Sequence, residues 1–180
     1  MENSTFKSES ANQKYIISLG ASTSQDYKNI VFKNNVFYCP EGKVNQFGLF
    51  VGSKAGMANC VLENNTFVNL ETATTGMVYV DKLADISVKN NIFWTNTAGA
   101  NACIIFRPVT TSPSGTTCVN NIVYKTMTFN WQMFYGGKAP FEGMEQLNIL
   151  EANPFDGGTF DLANGIFVPN AEYAEYGATN

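Results

Sequence analysis

The 180-residue chain has no histidine and a single arginine, Arg107. Without imidazole it lacks the commonest general base and metal ligand, and a Ser-His-Asp triad is excluded. Only 14% of the residues are charged against 44% hydrophobic, which excludes a disordered or heavily charged protein. Lys plus Arg number 11 and Asp plus Glu 15, a net charge of −4 with no basic run. Nucleic acid and anionic membranes are therefore not expected partners. No apolar stretch approaches the roughly 18 residues of a membrane span. The opening Met1 to Lys7 lacks the basic-then-apolar order of a signal peptide. Cys39, Cys60, Cys103 and Cys118 form no C-x-x-C pair, so no zinc or other metal site is expected. Helical periodicity is absent as well: no long window keeps apolar residues at i, i+3, i+4 and i+7.

What the chain does have is repetition. Ile86-Ser87-Val88-Lys89-Asn90-Asn91-Ile92-Phe93 recurs at residues 30–37 and 60–67, and more loosely at 117–124. The Asn-Asn pairs begin at 34, 64, 90 and 120, in steps of 30, 26 and 30 residues, a period that marks a solenoid. A second set of short β-branched and aromatic runs lies between them, at residues 15–20, 47–52, 76–81, 102–107 and 131–136. Each period thus carries a strand, a polar connection, a second strand, an Asn-Asn turn and a brief third strand. Such units bury their apolar faces only by stacking. The expected fold is all-β, a parallel β-helix of about four to five rungs spaced ~4.8 Å apart. Residues 1–14 read as a disordered or truncated-boundary segment, 15–150 as the rungs, and 151–180 as an irregular cap over the open end.

Alternation sorts the strands into rows. Leu49, Val78, Ile104 and Met133 are expected to point inward, as are Val51, Val80, Phe106 and Tyr135. In the second strand the inward rows are Ile30, Cys60, Ile86, Thr116 and Phe32, Leu62, Val88, Cys118. After the turn, Phe37, Phe67, Phe93 and Val123 form a further inward row. Asn tolerates left-handed backbone angles, so one of each pair can make the corner while the other bonds its counterpart a rung away. Asn35, Asn65, Asn91 and Asn121 are then placed to form a structural amide ladder. A full rung lies between Cys60 and Cys118, which sets them ~10 Å apart, beyond disulfide reach, so four free thiols are expected.

The repeated Asn-Asn-x-Phe turn and the rung length resemble the right-handed parallel β-helices of the pectate-lyase-like superfamily. The tail, with Asn153-Pro154-Phe155, Phe160-Asp161-Leu162 and Tyr176-Gly177-Ala178, resembles the closing segment of β-helix domains in exported gut-bacterial proteins. Asn153 departs from that pattern, where an Asp is expected. The resemblance implies a secreted, periplasmic or cell-surface setting and a place in a longer chain with an upstream domain. The superfold hosts lyases, hydrolases and adhesins alike.

Two features could carry function. Arg107 falls in the row Gly52, Asp81, Arg107, Gly136, which puts Asp81 one rung away. The pair is either a weak catalytic candidate or a cross-strand ion pair, and lyase chemistry needs more acids converging on calcium. The second feature is aromatic: Phe50, Tyr79, Ile105, Phe134 in the first strand, and Tyr38, Val68, Trp94, Tyr124 after the turn, are two outward stripes. Exposed apolar stripes usually mark an interface. They could be a polysaccharide platform, be covered by the connections at 39–46, 69–75, 95–101 and 125–130, or pack on another domain or subunit. The expectation is a carbohydrate-binding β-helix module of an exported protein, without catalysis or cofactor of its own. The alternatives are a polysaccharide lyase or glycoside hydrolase, with calcium in the lyase case, and a structural or adhesive spacer.

Overall fold

A computed structural model describes residues 1–9, 17–18, 27–40, 50–69, 78–96, 102–107, 115, 117–125, 130–134 and 148–179. In chain order the strands are β1 (Thr5–Lys7), β2 (Ile17–Ser18), β3 (Tyr27–Lys28), β4 (Val31–Lys33), β5 (Val36–Tyr38) and β6 (Phe50–Ala58). Next come β7 (Val61–Glu63), β8 (Thr66–Val68), β9 (Val78–Ala84), β10 (Ser87–Lys89), β11 (Ile92–Thr95) and β12 (Ala102–Arg107). They continue as β13 (Thr117–Val119), β14 (Ile122–Lys125), β15 (Asn130–Phe134), β16 (Asn148–Ile149), β17 (Thr159–Asp161) and β18 (Ile166–Val168). The only helix among the described residues is a single turn of 3-10 helix at Ala171–Tyr173.

Three sheets run through the repeats, and every pairing within them is parallel. The first is β4-β7-β10-β13, the second β1-β5-β8-β11-β14-β16, and the third β2-β6-β9-β12-β15 with β3 also on β6. Apart from β2 and β3, which both pair with β6, successive strands of the repeats enter different sheets, so each sheet is built from strands about one repeat apart. This is the arrangement of a parallel β-helix. The antiparallel hairpin β17–β18 stands apart from it.

In the first two sheets the register follows the repeat. Phe32, Leu62, Val88 and Cys118 are paired in one row, and Lys33, Glu63, Lys89 and Val119 in the next. Phe37, Phe67, Phe93 and Val123 form the inward row of the second sheet, each at most 1% exposed. Their rings stack like coins: 4.8 Å between Phe67 and Phe93, 5.2 Å between Phe37 and Phe67, with planes within 12° of parallel. Offset stacking of this kind adds to plain area burial.

The corners use two kinds of asparagine. Asn34, Asn64, Asn90 and Asn120 take left-handed φ between 53° and 55° and turn the chain. Asn35, Asn65, Asn91 and Asn121 are buried and linked by their amides. The Asn65 backbone N–H and Nδ2 both donate to Asn91 Oδ1, at 2.9 and 3.0 Å, while Asn91 Nδ2 donates to Asn121 Oδ1 at 2.8 Å. The second hydrogen of each amide goes to a carbonyl one repeat back, Phe32 from Asn65 and Leu62 from Asn91. Every polar atom of these side chains is occupied, which buried amides require.

A second corner column precedes the first. Asn29, Asn59, Asp85 and Gly115 all have positive φ, from 50° to 61°, and Asn59 Nδ2 donates to Asn29 Oδ1 at 2.6 Å. Turn-forming residues thus stand five positions ahead of each Asn-Asn pair, a second periodic signal carried by the sequence.

Three expectations need correction. Residues 1–14 are not wholly irregular: β1 pairs with β5, and Phe6 stacks on Phe37 at 4.9 Å. Asn3-Ser4-Thr5-Phe6 is a degenerate copy of Asn64-Asn65-Thr66-Phe67, with the Ser4 N–H donating to Asn35 Oδ1. In the third sheet the register slips. Phe50 pairs with Val78, Val78 with Phe106 and Phe106 with Phe134, so Phe50 and Phe134 share a row that Tyr79 does not join. A slip of one residue exchanges the two faces of a strand. Finally, residues 151–179 lie along the side of the solenoid instead of over its end, because their apolar residues find partners on the outer face of the second sheet.

Candidate functional site

The outer face of the second sheet carries the row Tyr38, Val68, Trp94, Tyr124, in the expected register. Beside it runs Val36, Thr66, Ile92, Ile122. Strand alternation puts both rows opposite the stacked phenylalanines, where an uncovered sheet would meet water. The tail prevents that. Phe155 and Phe167 are buried against Val36, Tyr38, Val68, Ile92, Trp94 and Ile122, with Phe160 and Leu162 packed at the margin. Trp94 meets the Phe160 ring at 4.4 Å, and Tyr38 meets Phe167 edge-on at 5.6 Å.

Polar contacts fix the tail along its length. Trp94 Nε1 donates to Asn153 Oδ1 at 3.0 Å, and Asn64 Nδ2 donates to the Glu175 carbonyl at 2.9 Å. The Gly177 N–H donates to the Asn90 carbonyl, the Ala178 N–H to Thr66 Oγ1, and the Thr179 N–H to Asn34 Oδ1. At Gly177, with φ of 70°, an added Cβ would lie 2.5 Å from Thr66 Oγ1 and 2.8 Å from Ile92 Cδ1, so only glycine lets the tail come this close.

Tyr38 and Trp94 are thus 3% and 4% exposed, and Tyr124 is partly buried. The rings of Tyr38 and Trp94 are covered by the chain's own C-terminal residues, while Tyr124 stacks on Trp94 at the margin of the same cluster. Among the described residues the cover comes from Phe155, Phe160, Leu162 and Phe167, and most of the connections lie outside those residues. The phenylalanines that supply it were visible in the sequence, but nothing in their spacing pointed to this sheet.

Asn153 answers its own departure from pattern. Its Oδ1 accepts from Trp94 Nε1 and from the Phe155 N–H, while its Nδ2 donates to Asp156 Oδ1 at 2.9 Å. An aspartate could accept the first two bonds but would set a carboxylate against Asp156. Asn153→Asp is expected to lose about 1 kcal/mol at neutral pH, recovering as the solution falls below the carboxylate range near pH 4. Urea unfolding at the two pH values measures this.

The remaining candidates are spread out. Asp81, Arg107, Phe50, Tyr79 and Phe134 are described by backbone pairing alone, their side chains lying outside the described part. The pairing sets Arg107 opposite Tyr79, two residues away from the Asp81 expected there. Among the described residues no group of three or more His, Cys, Asp or Glu is placed to hold a metal. The one ion pair among them is Lys7 to Glu9 at 3.7 Å, and Glu63 Oε1 accepts instead from Ser87 Oγ at 2.6 Å. A polar groove of about 370 Å³ opens at the corner, lined by Glu2, Asn3, Lys33, Asn34, Asn64 and Thr179.

Cys39, Cys60 and Cys118 are free thiols and buried; the side chain of Cys103 lies outside the described residues. Burial pushes Cys118 up to about 12, and burial also raises Cys60, partly offset by backbone hydrogen bonds from the Ile30, Ala58 and Asn29 region. The folded chain therefore keeps thiol protons that the unfolded chain releases above about pH 8.5. Cys118's contribution is complete below that pH and is lost as pH rises towards 12, at about 1.4 kcal/mol per pH unit. Denaturation midpoints should fall through this window, and Cys118→Ala should flatten the slope.

Stacked parallel sheets and a buried amide ladder define the chain as a parallel β-helix. No helix among the described residues is long and apolar enough to cross a membrane. No family model matches the chain, no curated protein matches it, and no solved structure matches it.

Proposed function

We propose that the chain is a structural module of a larger exported bacterial protein, without catalysis of its own, that spaces and orients neighbouring parts of a polysaccharide-handling assembly. In this reading it is a right-handed, pectate-lyase-like β-helix of about four to five rungs, secreted or held at the cell surface. The observation that supports it is the covered aromatic row. Residues whose pattern suggests a sugar platform instead complete a second apolar core that stiffens the solenoid from outside. On an array of plant and host glycans the module should show no retention. Incubation with polyuronates and calcium should leave the unsaturated-product absorbance flat. Specific retention, or product formation, overturns the reading.

A second reading places polysaccharide on the third sheet, favoured by the pairing of Arg107 with Tyr79. Arginine suits an acidic sugar, whose carboxylate takes a bidentate contact. It requires array retention that Tyr79→Ala and Arg107→Ala each abolish with folding intact.

A further inference from the structure

The hairpin that carries the tail across Tyr38 turns through Asp161-Leu162-Ala163-Asn164-Gly165-Ile166, which contains the single Asn-Gly of the sequence. Asn164 is exposed. Its backbone N–H donates to Asp161 Oδ1 at 3.0 Å and its Nδ2 to Asp161 Oδ2 at 2.7 Å. These donors hold the Asp161 carboxyl below the usual carboxylate range, the Asn164 side chain contributing most. Gly165 has φ of 69° and is buried against Tyr38, so close that a Cβ would lie 2.6 Å from Tyr38 Cε1. The turn thus joins a solvent-facing amide, a residue with no side chain after it, and a tight contact on the covered aromatic row.

We propose that Asn164 is a site of spontaneous deamidation and that its conversion loosens residues 151–179 from the second sheet. The Gly165 backbone nitrogen attacks Asn164 Cγ. A new N–Cγ bond forms, the Cγ–Nδ2 bond breaks, and ammonia leaves with the amide proton. Water then opens the succinimide at either carbonyl, leaving aspartate or isoaspartate. Glycine favours the attack because no Cβ shields its nitrogen. The corner asparagines are poorer substrates: Asn35, Asn65, Asn91 and Asn121 are buried, their amides are bonded across layers, and Val, Thr or Ile follows each.

The products act on the turn in two ways. Either one replaces the Nδ2 donor with a carboxylate facing Asp161, turning a hydrogen bond into like-charge repulsion. Isoaspartate also adds a backbone methylene just before Gly165, shifting a contact with Tyr38 that has no slack.

The test is to age the full chain in mildly alkaline buffer and follow it by peptide mapping with isoaspartate detection. Conversion at Asn164 should exceed that at any corner asparagine several-fold. The converted fraction should show faster hydrogen exchange along β18 and at Trp94 and Tyr38. Asn164→Asp should reproduce the faster exchange without ageing, and Asn164→Gln, which closes the ring far more slowly, should keep the native pattern throughout. Conversion at Asn164 no faster than at the corners overturns the site. Aged and Asn164→Asp proteins with unchanged exchange overturn the effect on the tail.

Discussion

Asn91→Ala is expected to destabilise the fold by about 3–5 kcal/mol, read as a fall in the urea midpoint at constant slope. The side chain is fully buried and makes four hydrogen bonds. Its Oδ1 accepts from the Asn65 N–H and Nδ2, and its Nδ2 donates to the Leu62 carbonyl and Asn121 Oδ1. Alanine strands all four partners in a dry corner, and each buried group left without a partner costs about 1–3 kcal/mol. Asn91→Asp is more pointed. A carboxylate could still accept from Asn65 but would face two oxygens where Nδ2 donates. Its folded-state pKa would be raised, so the deficit should shrink as pH falls through the carboxylate range. Asn90, with φ of 54°, is a contrast, since its job is the left-handed turn. Asn90→Gly should be near neutral, and Asn90→Ala should cost only about 1–2 kcal/mol.

Trp94→Ala is expected to cost a further large amount, about 3–5 kcal/mol. The indole lies between Phe160 and Tyr124, at 4.4 and 6.4 Å between ring centroids, and its N–H holds Asn153. Truncation leaves a cavity between sheet and tail that neither can collapse to fill. Hydrogen exchange should rise through residues 151–179 before the rungs themselves respond. This separates two uses of one residue: a sugar contact at Trp94 would lose binding with the fold unchanged, whereas a core residue loses the fold. Phe167→Ala should give the same exchange pattern from the opposite side of the contact.

The first two sheets were legible in the sequence because each repeat carries its own register mark. A residue that must turn left-handed is followed by one that must hydrogen-bond to its copies, and together they admit one alignment. Phe93 over Phe67 follows from counting three positions past each mark. The third sheet has no such pair. Its runs, such as Phe47 to Gly52 and Gly76 to Asp81, align equally well with a shift of one or two residues, and only backbone pairing decides that Phe50 meets Val78. The tail was hidden for another reason. Phe155, Phe160 and Phe167 announce burial but not a destination, since contacts across a hundred residues leave no periodic trace. The leading layer was missed because Ser4 stands where the ladder has asparagine.

The tail changes how the molecule should come apart. In a solenoid each layer touches only its neighbours, so the ends can fray one layer at a time while the middle survives. Here Thr179 is tied to Asn34, Ala178 to Thr66, Gly177 to Asn90 and Asn153 to Trp94, so one stretch of chain bridges three successive layers of the stack. Peeling off the layer that holds Tyr38 also frees Phe167, and with it the cover over Trp94. A linear array is thereby converted into a unit that melts all at once.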